Sequence, residues 1–391
     1  MKVLVINNYF GEWGGIDAAV RSEISGLRRF GHEVVEYSRA SAEIAQGWGR
    51  WVAAAGAFHS RRTSDAIARH ARAGIDVAHV NNFLPLVGLG VYRALRRHRI
   101  PVVQTVHDYR MMCVNGIFFT GGEVCRRCAA GNFLHSIPRR CHPKGLAATI
   151  LYAAVLQYGR ATRAFTRGID VFVAVSEHVA SELRALGIPR RRIIVRGISE
   201  DPPVDPSFES GGYSLYLGRL AREKGVWTLV KALERRSGRP MKFAGTGPEE
   251  RELTRFVRER GLKHVEFLGF VSGSERFELL RRASYLVMPS ECHETFGVSA
   301  REALSVGTPV IATRMGGLPE IVVPGVSGVL VEPGNPDGLA AAMAQMDREA
   351  PGLRKSARAY FEKRWTVDQG AESLNRAYLL ARHLAGRPPG V

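Results

Sequence analysis

The residues with the clearest potential for chemistry are Glu294 and Glu302, in the segment from Tyr285 to Pro319. An apolar run from Tyr285 predicts a strand, a polar turn carries Glu294, and Phe296 and Gly297 open a predicted helix that carries Glu302. Carboxylates accept hydrogen bonds from hydroxyl groups, and the free N–H groups at a helix start attract an anion. The pattern therefore predicts a site for a sugar joined to a phosphate.

Two cations, Arg219 and Lys224, flank the turn that follows the predicted strand Tyr213–Leu217. In an open parallel sheet, ligands bind at the carboxyl ends of the strands, so this pair could meet a diphosphate. Solvated surface cations are the ordinary alternative for any basic pair, and the position at a strand end favours the diphosphate site.

Candidate residues also occur in the first half of the chain. His107 ends a predicted strand and is followed by Asp108, although a single histidine at such a place is often a packed or capping residue. Gly14 and Gly15 precede a helix predicted from Asp17, and such a turn can approach a phosphate or a sugar. Any tight turn uses glycine as well, so this signal is weak by itself.

Strands alternate with helices along most of the chain, which predicts an α/β fold with parallel sheets. The segment 201–212, DPPVDPSFESGG, is typical of a linker, and the alternation restarts after it. We therefore predict two doubly wound domains, 1–203 and 204–365, and a final helix, 366–391, packing back on the first. A dinucleotide fingerprint after Gly245 is excluded, because Glu250 occupies the place of its third glycine.

The charge of +18 in 391 residues is unevenly distributed. Residues 1–200 hold 28 Lys and Arg against 14 Asp and Glu, whereas residues 201–391 hold 27 against 23. A basic half attracts nucleic acid, anionic lipid or a phosphorylated substrate. There is no secretory h-region, and the longest apolar stretch is too short for a membrane span, so the chain is predicted to be cytoplasmic.

Several ordered motifs together resemble the GT-B glycosyltransferases, and more narrowly the retaining family 4. They are Gly14-Gly15, Gly31-His32-Glu33-Val34, His107-Asp108, Gly218-Arg219 with Lys224-Gly225, Gly245-Thr246-Gly247-Pro248, Leu268-Gly269-Phe270-Val271, Pro289-Ser290, and Glu294-Thr295-Phe296-Gly297 with Glu302. The resemblance covers nearly the whole chain and implies two Rossmann-like domains facing across a cleft. It also implies transfer of a sugar from a nucleotide diphosphate donor with no metal required for catalysis.

The resemblance assigns roles to the candidate residues. Arg219 and Lys224 would stabilise the leaving diphosphate, Glu294 would accept from donor-sugar hydroxyls, and His107 would lie near the sugar and the leaving phosphate. Glu302 would accept from the ribose. The full set of implied donor-binding residues is Gly14, Gly15, Gly269, Phe270, Val271, Phe296, Gly297, Val298 and Glu302. One departure is Arg196-Gly197, where many relatives have Asn-Gly, which leaves the geometry of the linker open.

The segment 111–143 exceeds the minimum of the family and holds Cys113, Cys125, Cys128 and Cys141, spaced C-x11-C-x2-C-x12-C. In a cytoplasmic protein this clustering favours a thiolate metal site over disulfides, most simply structural zinc. Only one C-x2-C pair is present, so free thiols and an iron–sulfur cluster are the alternatives.

The segment from Gly145 to Phe165 is apolar at first and then carries Arg160 and Arg163. An ordinary buried helix is the simpler interpretation. An interfacial helix that docks on anionic lipid is the alternative, and it fits an acceptor carried on a membrane lipid.

The sequence thus predicts a retaining glycosyltransferase that uses a UDP- or GDP-sugar, with bacterial surface polysaccharide or glycolipid synthesis as its context. Its expected partners are the donor and a sugar, glycolipid or lipid-linked acceptor, with peripheral contact to the inner face of an anionic membrane as an open alternative. A natural-product glycosyltransferase and an epimerase or hydrolase of the same fold are further alternatives. The basic pI also suggests nucleic-acid binding, but no reading module accompanies it.

Overall fold

A computed structural model describes residues 1–9, 15–44, 48–209, 211–236 and 239–386 of the chain. Two compact units divide it. The first consists of Met1–Phe118, Arg126–Glu200 and the chain from Val367 onward, and the second of Phe119–Cys125 and Asp201–Thr366. The cysteine-rich segment 111–143 therefore contributes to both units, whereas the sequence analysis assigned all of it to the first.

The strands in the described residues are β1 Lys2–Tyr9, β2 Glu33–Ala40, β3 Val77–Val80, β4 Val102–Val106, β5 Phe119–Thr120, β6 Glu123–Val124, β7 Val171–Ala174, β8 Ile193–Val195, β9 Tyr213–Leu217, β10 Met241–Ala244, β11 Val265–Gly269, β12 Ala283–Met288, β13 Val310–Thr313 and β14 Gly328–Val331. The larger sheet of each unit has six strands and is parallel throughout. This confirms the predicted α/β class with two doubly wound sheets.

The helices in the described residues are α1 Gly15–Arg29, α2 Trp48–Phe58, α3 Arg61–Arg72, α4 Val91–Arg97, α5 Leu146–Ala161, α6 Ala164–Gly168, α7 Glu177–Ala185, α8 Val226–Glu234, α9 Glu250–Glu259, α10 Gly273–Arg282, α11 Val298–Ser305, α12 Leu318–Ile321, α13 Pro336–Glu362 and α14 Val367–Leu384. No helix in the described part of the chain has both the length and the apolar character needed to cross a bilayer.

The sheet of the first unit has the order β2-β1-β3-β4-β7-β8. Its central strands are buried on both faces, and β4 is buried along its whole length. The final helix, α14, belongs to this unit: Leu374, Ala377 and Tyr378 are fully buried in the same core as Val3 of β1. Burial of this apolar stripe fixes the last helix on the sheet.

The sheet of the second unit has the order β11-β10-β9-β12-β13-β14. Strands β9, β10 and β11 follow one another toward one edge of the sheet. Strands β12, β13 and β14 follow one another toward the opposite edge, so the strand order reverses between β9 and β12. Both strands end in loops on the same edge of the sheet, since they are parallel. That edge, beside the reversal point, is where an open α/β sheet binds ligands.

Helix α4 is shorter than its local sequence indicates. The pattern from Leu86 to His98 is typical of a continuous helix, but α4 begins only at Val91. The N–H of Leu86 donates to Asn8 Oδ1 at 3.0 Å, and the N–H of Leu89 donates to the carbonyl of Ala57 at 2.8 Å. These long-range partners hold residues 86–90 in a turn, so the local pattern is overridden by tertiary contacts.

Candidate functional site

Lys224 and Glu294 meet at the carboxyl edge of the second sheet. Lys224 ends a single 3₁₀ turn, Arg222–Lys224, that follows β9, and Glu294 lies in the loop after β12. Lys224 Nζ donates to Glu294 Oε1 at 2.6 Å, and the hydroxyl of Ser290 donates to the same oxygen at 2.6 Å. Two residues 70 positions apart are thus joined where the sequence predicted a diphosphate and sugar site.

The electrostatics of this pair keep both partners charged. Burial disfavours the charged form of Glu294, but Lys224 and the Ser290 hydroxyl outweigh it, and the pKa of Glu294 is lowered from its usual value of 4.5. Burial likewise opposes the ammonium form of Lys224, and the attraction of Glu294 outweighs it and raises the Lys224 pKa. The pair therefore presents a fixed carboxylate and a fixed cation at neutral pH.

Arg219 is held beside the same turn. Its guanidinium donates to Glu223 Oε1, and its side chain is 52% exposed, so it can still reach a ligand. Glu223 is itself buried, and its backbone carbonyl accepts from the N–H groups of Glu291 and Cys292 at 2.9 and 3.2 Å. These bonds fasten the turn after β9 to the loop after β12.

Glu223 was not among the residues predicted from the sequence. Its position offered a signal, because it lies four residues after Arg219 and directly before Lys224. Its carboxylate binds Arg219, and its backbone carbonyl binds the loop that carries Glu294.

Two glycines allow the close approach of these loops. Gly225 has φ +67°, and a Cβ built on it would lie 1.8 Å from the carbonyl oxygen of Pro289. Gly316 has φ +60°, and a Cβ there would lie 2.1 Å from the carbonyl oxygen of Glu294. Any side chain at either position would push the loop that carries Glu294 away from Lys224.

Glu302 is positioned by a different set of contacts. It is buried on α11, and its Oε1 lies 3.0 Å from Arg276 Nη2 of α10 and 3.9 Å from Arg301 Nη2. Arg301 is fully buried. Glu302 therefore neutralises two arginines, a role that was not predicted from the sequence.

The remaining implied donor-binding residues of the second unit differ in exposure. Gly269 ends β11, and its carbonyl accepts from the N–H of Gly245 at 2.7 Å, while the next residue, Phe270, is 54% exposed. Phe296 is buried, with its ring centroid 5.8 Å from that of Trp365. Gly297 is the N-cap of α11 and Val298 its first residue, as the predicted helix start required. Val271 follows Phe270 and is partly buried.

In the first unit, His107 follows β4 and is 4% exposed. Its Nε2–H donates to Asn81 Oδ1 at 2.7 Å. Burial lowers the pKa of His107, so the ring is neutral at pH 7. A cavity of about 20 Å³, enough for one water molecule, lies beside His107 and Asp108. Gly14 lies outside the described residues, and Gly15 begins α1.

Arg196, the residue that departs from the Asn-Gly of many relatives, is buried within the first unit. It donates to Glu23 of α1, and both side chains are less than 5% exposed. Burial raises the pKa of Glu23, but Arg196 outweighs this and the pKa is lowered overall. Arg196 is therefore a packed ion-pair residue, with a partner that a sequence pattern could not identify.

The cysteine-rich segment leaves the zinc prediction open. In the part of the chain that the structure describes, no three His, Cys, Asp or Glu side chains are grouped so as to hold a metal ion. Cys113 is buried, and its thiol donates to Asn115 Oδ1 at 2.9 Å. Structural zinc remains a prediction from the spacing alone.

Metal analysis of protein purified without chelator tests this prediction. The four-cysteine spacing predicts about one equivalent of zinc, because a structural site binds one ion with four ligands. Substitution of Cys128 by serine is expected to release the metal, and Cys292→Ser is the control outside the segment. Zinc and iron both below about a tenth of an equivalent would contradict the prediction.

The structure thus brings Arg219, Lys224 and Glu294 into one connected set of contacts at the edge of the second sheet. Glu302 lies on the helix that follows the same loop, bound to its own arginines. His107 belongs to the first unit, where it is part of a buried polar cluster.

Two protein-family models match the chain. The model described as Glycosyltransferase Family 4 matches residues 13–201, and the model described as Glycosyl transferases group 1 matches residues 198–364. Together they extend over both predicted domains.

Among curated proteins, the chain is 34% identical over 176 residues to the uncharacterized glycosyltransferase MJ1178 of Methanocaldococcus jannaschii, covering 44% of this chain and 48% of that protein. It is 28% identical over 227 residues to the putative colanic acid biosynthesis glycosyltransferase WcaL of Salmonella typhimurium, covering 54% and 56%. The chain spans about half the length of the curated relatives it matches.

Among solved structures, the fold is similar to that of HepE from Anabaena, crystallised in complex with UDP and glucose. The TM-score is 0.70 at 17% identity, with 96% of this chain and 98% of the other covered. At this level of identity the likeness establishes the fold.

Proposed function

The chain belongs to the glycosyltransferases of family 4 with the GT-B fold, and from this premise we propose that it transfers a sugar from a nucleotide diphosphate donor to an acceptor hydroxyl. The donor is a UDP- or GDP-sugar, and the configuration at the anomeric carbon is retained. The second unit holds the donor and the first unit holds the acceptor.

The observation that carries the proposal is the joined set of Arg219, Lys224 and Glu294 at the strand ends of the second sheet. A diphosphate leaving group gains negative charge as the glycosidic bond breaks, and two preorganised cations stabilise that charge without a metal. Glu294 is held as a carboxylate, so it accepts hydrogen bonds from sugar hydroxyls. The UDP complexes of HepE are in keeping with this donor chemistry.

In the proposed reaction the bond between the anomeric carbon and the phosphate oxygen breaks as the acceptor oxygen bonds to the same face of that carbon. The departing phosphate takes the acceptor proton, so no dedicated protein base is needed. His107 is neutral and assists as a hydrogen-bonding group rather than as a base. Glu302 accepts from the ribose hydroxyls of the donor.

For the biological context we propose assembly of a surface polysaccharide or glycolipid. The support comes from relatives named for such pathways, among them the putative colanic acid glycosyltransferase WcaL and an O-antigen chain mannosyltransferase of Escherichia coli. The acceptor is accordingly a sugar, a glycolipid or a lipid-linked sugar.

A thermal-shift screen with UDP- and GDP-sugars tests the donor assignment. A donor present at 100 times its dissociation constant is expected to stabilise the protein by about 2.7 kcal/mol, which raises Tm by several degrees. UDP, GDP and ADP alone serve as ligand controls, and Arg219→Ala is expected to reduce the shift. A screen in which no nucleotide diphosphate or its sugar moves Tm would contradict the proposal.

Product analysis of the donor that binds separates transfer from the related reactions. Transfer releases the nucleoside diphosphate only when an acceptor alcohol is present. Complete turnover of the donor in water alone would show a hydrolase, and isomerised nucleotide sugar would show an epimerase.

A further inference from the structure

The motif Pro289-Ser290 has no role in the proposed reaction. It lies in the loop after β12, and β13 is the parallel neighbour of β12, so both strands end at the same edge of the sheet. Ser290 is 2% exposed, and Thr313, the last residue of β13, is 1% exposed. Two buried hydroxyl groups thus lie at the edge of the sheet that carries the candidate site, and buried hydroxyl groups are normally hydrogen-bonded.

The hydrogen bonds of these two hydroxyl groups form a chain that ends at Glu294. The Thr313 hydroxyl donates to the backbone carbonyl of Ser290 at 2.6 Å, and the Ser290 hydroxyl donates to Glu294 Oε1 at 2.6 Å. The direction of both bonds is fixed, because a carbonyl and a carboxylate can only accept. Strand β13 therefore holds the backbone of Ser290, and Ser290 holds the carboxylate of Glu294.

Glu294 Oε1 receives a second short bond, from Lys224 Nζ at 2.6 Å. An ionised carboxylate has about two acceptor sites on each oxygen, so Lys224 and Ser290 together fill Oε1. Turning the carboxylate would break two hydrogen bonds to a charged group, which are stronger than bonds between neutral groups. The orientation of the carboxylate is therefore fixed before a substrate binds.

We propose that Ser290 is a positioning residue for Glu294, and that Thr313 supports it through the backbone of Ser290. With Oε1 occupied by Lys224 and Ser290, Oε2 is the oxygen that accepts a hydroxyl of the transferred sugar. The inference rests on the proposed function, because it requires that Glu294 binds the sugar of the donor. It adds that the neighbouring strand determines which carboxylate oxygen meets that sugar.

A purely structural role, in which the two hydroxyl groups only fasten the loop, is the alternative. The loop has anchors of its own that involve neither hydroxyl. The N–H of Glu291 donates to the carbonyl of Glu223 at 2.9 Å. The N–H of Gly317 donates to the carbonyl of Glu294 at 2.8 Å. Loss of the Ser290 hydroxyl should therefore leave the loop in place and release only the carboxylate.

Steady-state kinetics of Ser290→Ala, with the donor and acceptor that the wild type uses, tests the proposal. Turnover is expected to fall about tenfold, because a hydrogen bond to a charged group at the reacting sugar is lost. The dissociation constant of the nucleoside diphosphate should stay within about twofold, since Glu294 acts on the sugar. Ser290→Thr keeps the hydroxyl and should restore most of the turnover.

Ser214→Ala is the matched control. Ser214 is fully buried in the same unit, and its hydroxyl donates to the carbonyl of Pro240 at 3.3 Å. It lies near the amino end of β9, whereas the candidate site lies beyond the carboxyl end of that strand. This variant should have wild-type turnover. Circular dichroism and the Tm of each variant establish that it is folded.

A double-mutant cycle separates positioning from a structural role. If Ser290 acts through Glu294, then Ser290→Ala should change turnover by less than about twofold in the Glu294→Gln background. Thr313→Val removes the other hydroxyl and is expected to lower turnover about threefold, as for the loss of a neutral hydrogen bond. Thr313→Ser keeps that hydroxyl and should restore most of this loss.

Three outcomes would overturn the inference while the wild type still transfers sugar. One is wild-type turnover in Ser290→Ala. Another is an undiminished loss from Ser290→Ala in the Glu294→Gln background, which would indicate a structural role. The third is an equal loss of turnover in Ser290→Ala and Ser214→Ala. A wild-type protein that binds no donor and transfers no sugar would instead contradict the proposed function, and the inference would fall with it.

Discussion

Replacing Lys224 by alanine is expected to lower the turnover number by about 10²–10³ with much less effect on donor affinity. Lys224 is fixed against Glu294 at 2.6 Å and is positioned before any substrate arrives. A preorganised cation of this kind acts on charge that develops as the diphosphate leaves, so its loss falls mainly on the chemical step. Steady-state kinetics with the donor found in the thermal-shift screen measures the effect.

A matched control is available on the neighbouring helix. Lys231 is exposed on α8 in the same unit, so Lys231→Ala should leave turnover unchanged. Lys224→Arg keeps the charge and should retain part of the activity, although the larger guanidinium does not fit the same contact with Glu294. Turnover by Lys224→Ala equal to that of Lys231→Ala would remove Lys224 from the site.

The sequence was sufficient to place Lys224 and Glu294 on the same edge of one sheet. Each follows a strand, and parallel neighbouring strands bring their carboxyl ends together, so local patterns fixed a long-range relation. The sequence from Phe296 to Glu302 was also sufficient to predict the start of the helix that carries Glu302, because a helix start depends on nearby residues. These parts of the site follow from local structure.

The partners that tune the site could not be predicted in the same way. Arg276 binds Glu302 from α10, 26 residues away in the chain, and nothing distinguished it among 47 arginines. Likewise, no pattern indicated that Arg196 would bind Glu23, 173 residues earlier. Such pairs depend on how helices pack on the sheet, which composition and periodicity do not specify.

Other misses reflect unrecognised local signals. Helices α2 and α3, which lie between β2 and β3, were not predicted from the sequence. Ser60 caps α3, because its hydroxyl accepts from the N–H of Thr63 at 3.2 Å. A serine directly before a helical pattern is a recognisable signal for such a helix start. Helix α5 was predicted as an ordinary buried helix, but Leu146 and Ile150 are 41% and 46% exposed on one of its faces. Burial of a helix face depends on which other elements cover it, and the sequence of the helix does not specify them.

Glu294→Gln and Glu302→Gln are expected to affect different kinetic constants. Glu294 accepts from sugar hydroxyls at the reacting ring, so its loss should lower turnover about 100-fold with little change in donor affinity. Glu302 accepts from the ribose, which does not change during the reaction, so its loss should weaken donor binding about 10–100-fold. Turnover numbers and dissociation constants of both variants, with Glu259→Gln on the surface of α9 as control, measure this split.

Glutamine is the better substitution because it keeps the size of Glu302 and one oxygen that can accept from Arg276, although it too removes the charge that neutralises Arg276 and the fully buried Arg301. Removing one partner of a buried ion pair costs about 3–5 kcal/mol, and Glu302→Ala would add a cavity and a lost acceptor to this loss of stability. The Tm of each variant is therefore measured first, and affinities are compared well below it. Equal affinity of Glu302→Gln and wild type would contradict the ribose assignment.

The pH dependence provides an independent test of the role of Glu294. Its pKa in the folded protein is lowered from 4.5, so the stability it contributes is complete above that value and is lost as the pH falls through the lowered pKa. Glu294 is thus ionised throughout pH 5–8, and it should add no slope to turnover in this range. A general acid would instead need a raised pKa and would lose activity as the pH rose through it. A turnover profile that falls between pH 5 and 8 in wild type and becomes flat in Glu294→Gln would show that Glu294 donates a proton, and the assignment as a hydroxyl acceptor would be wrong.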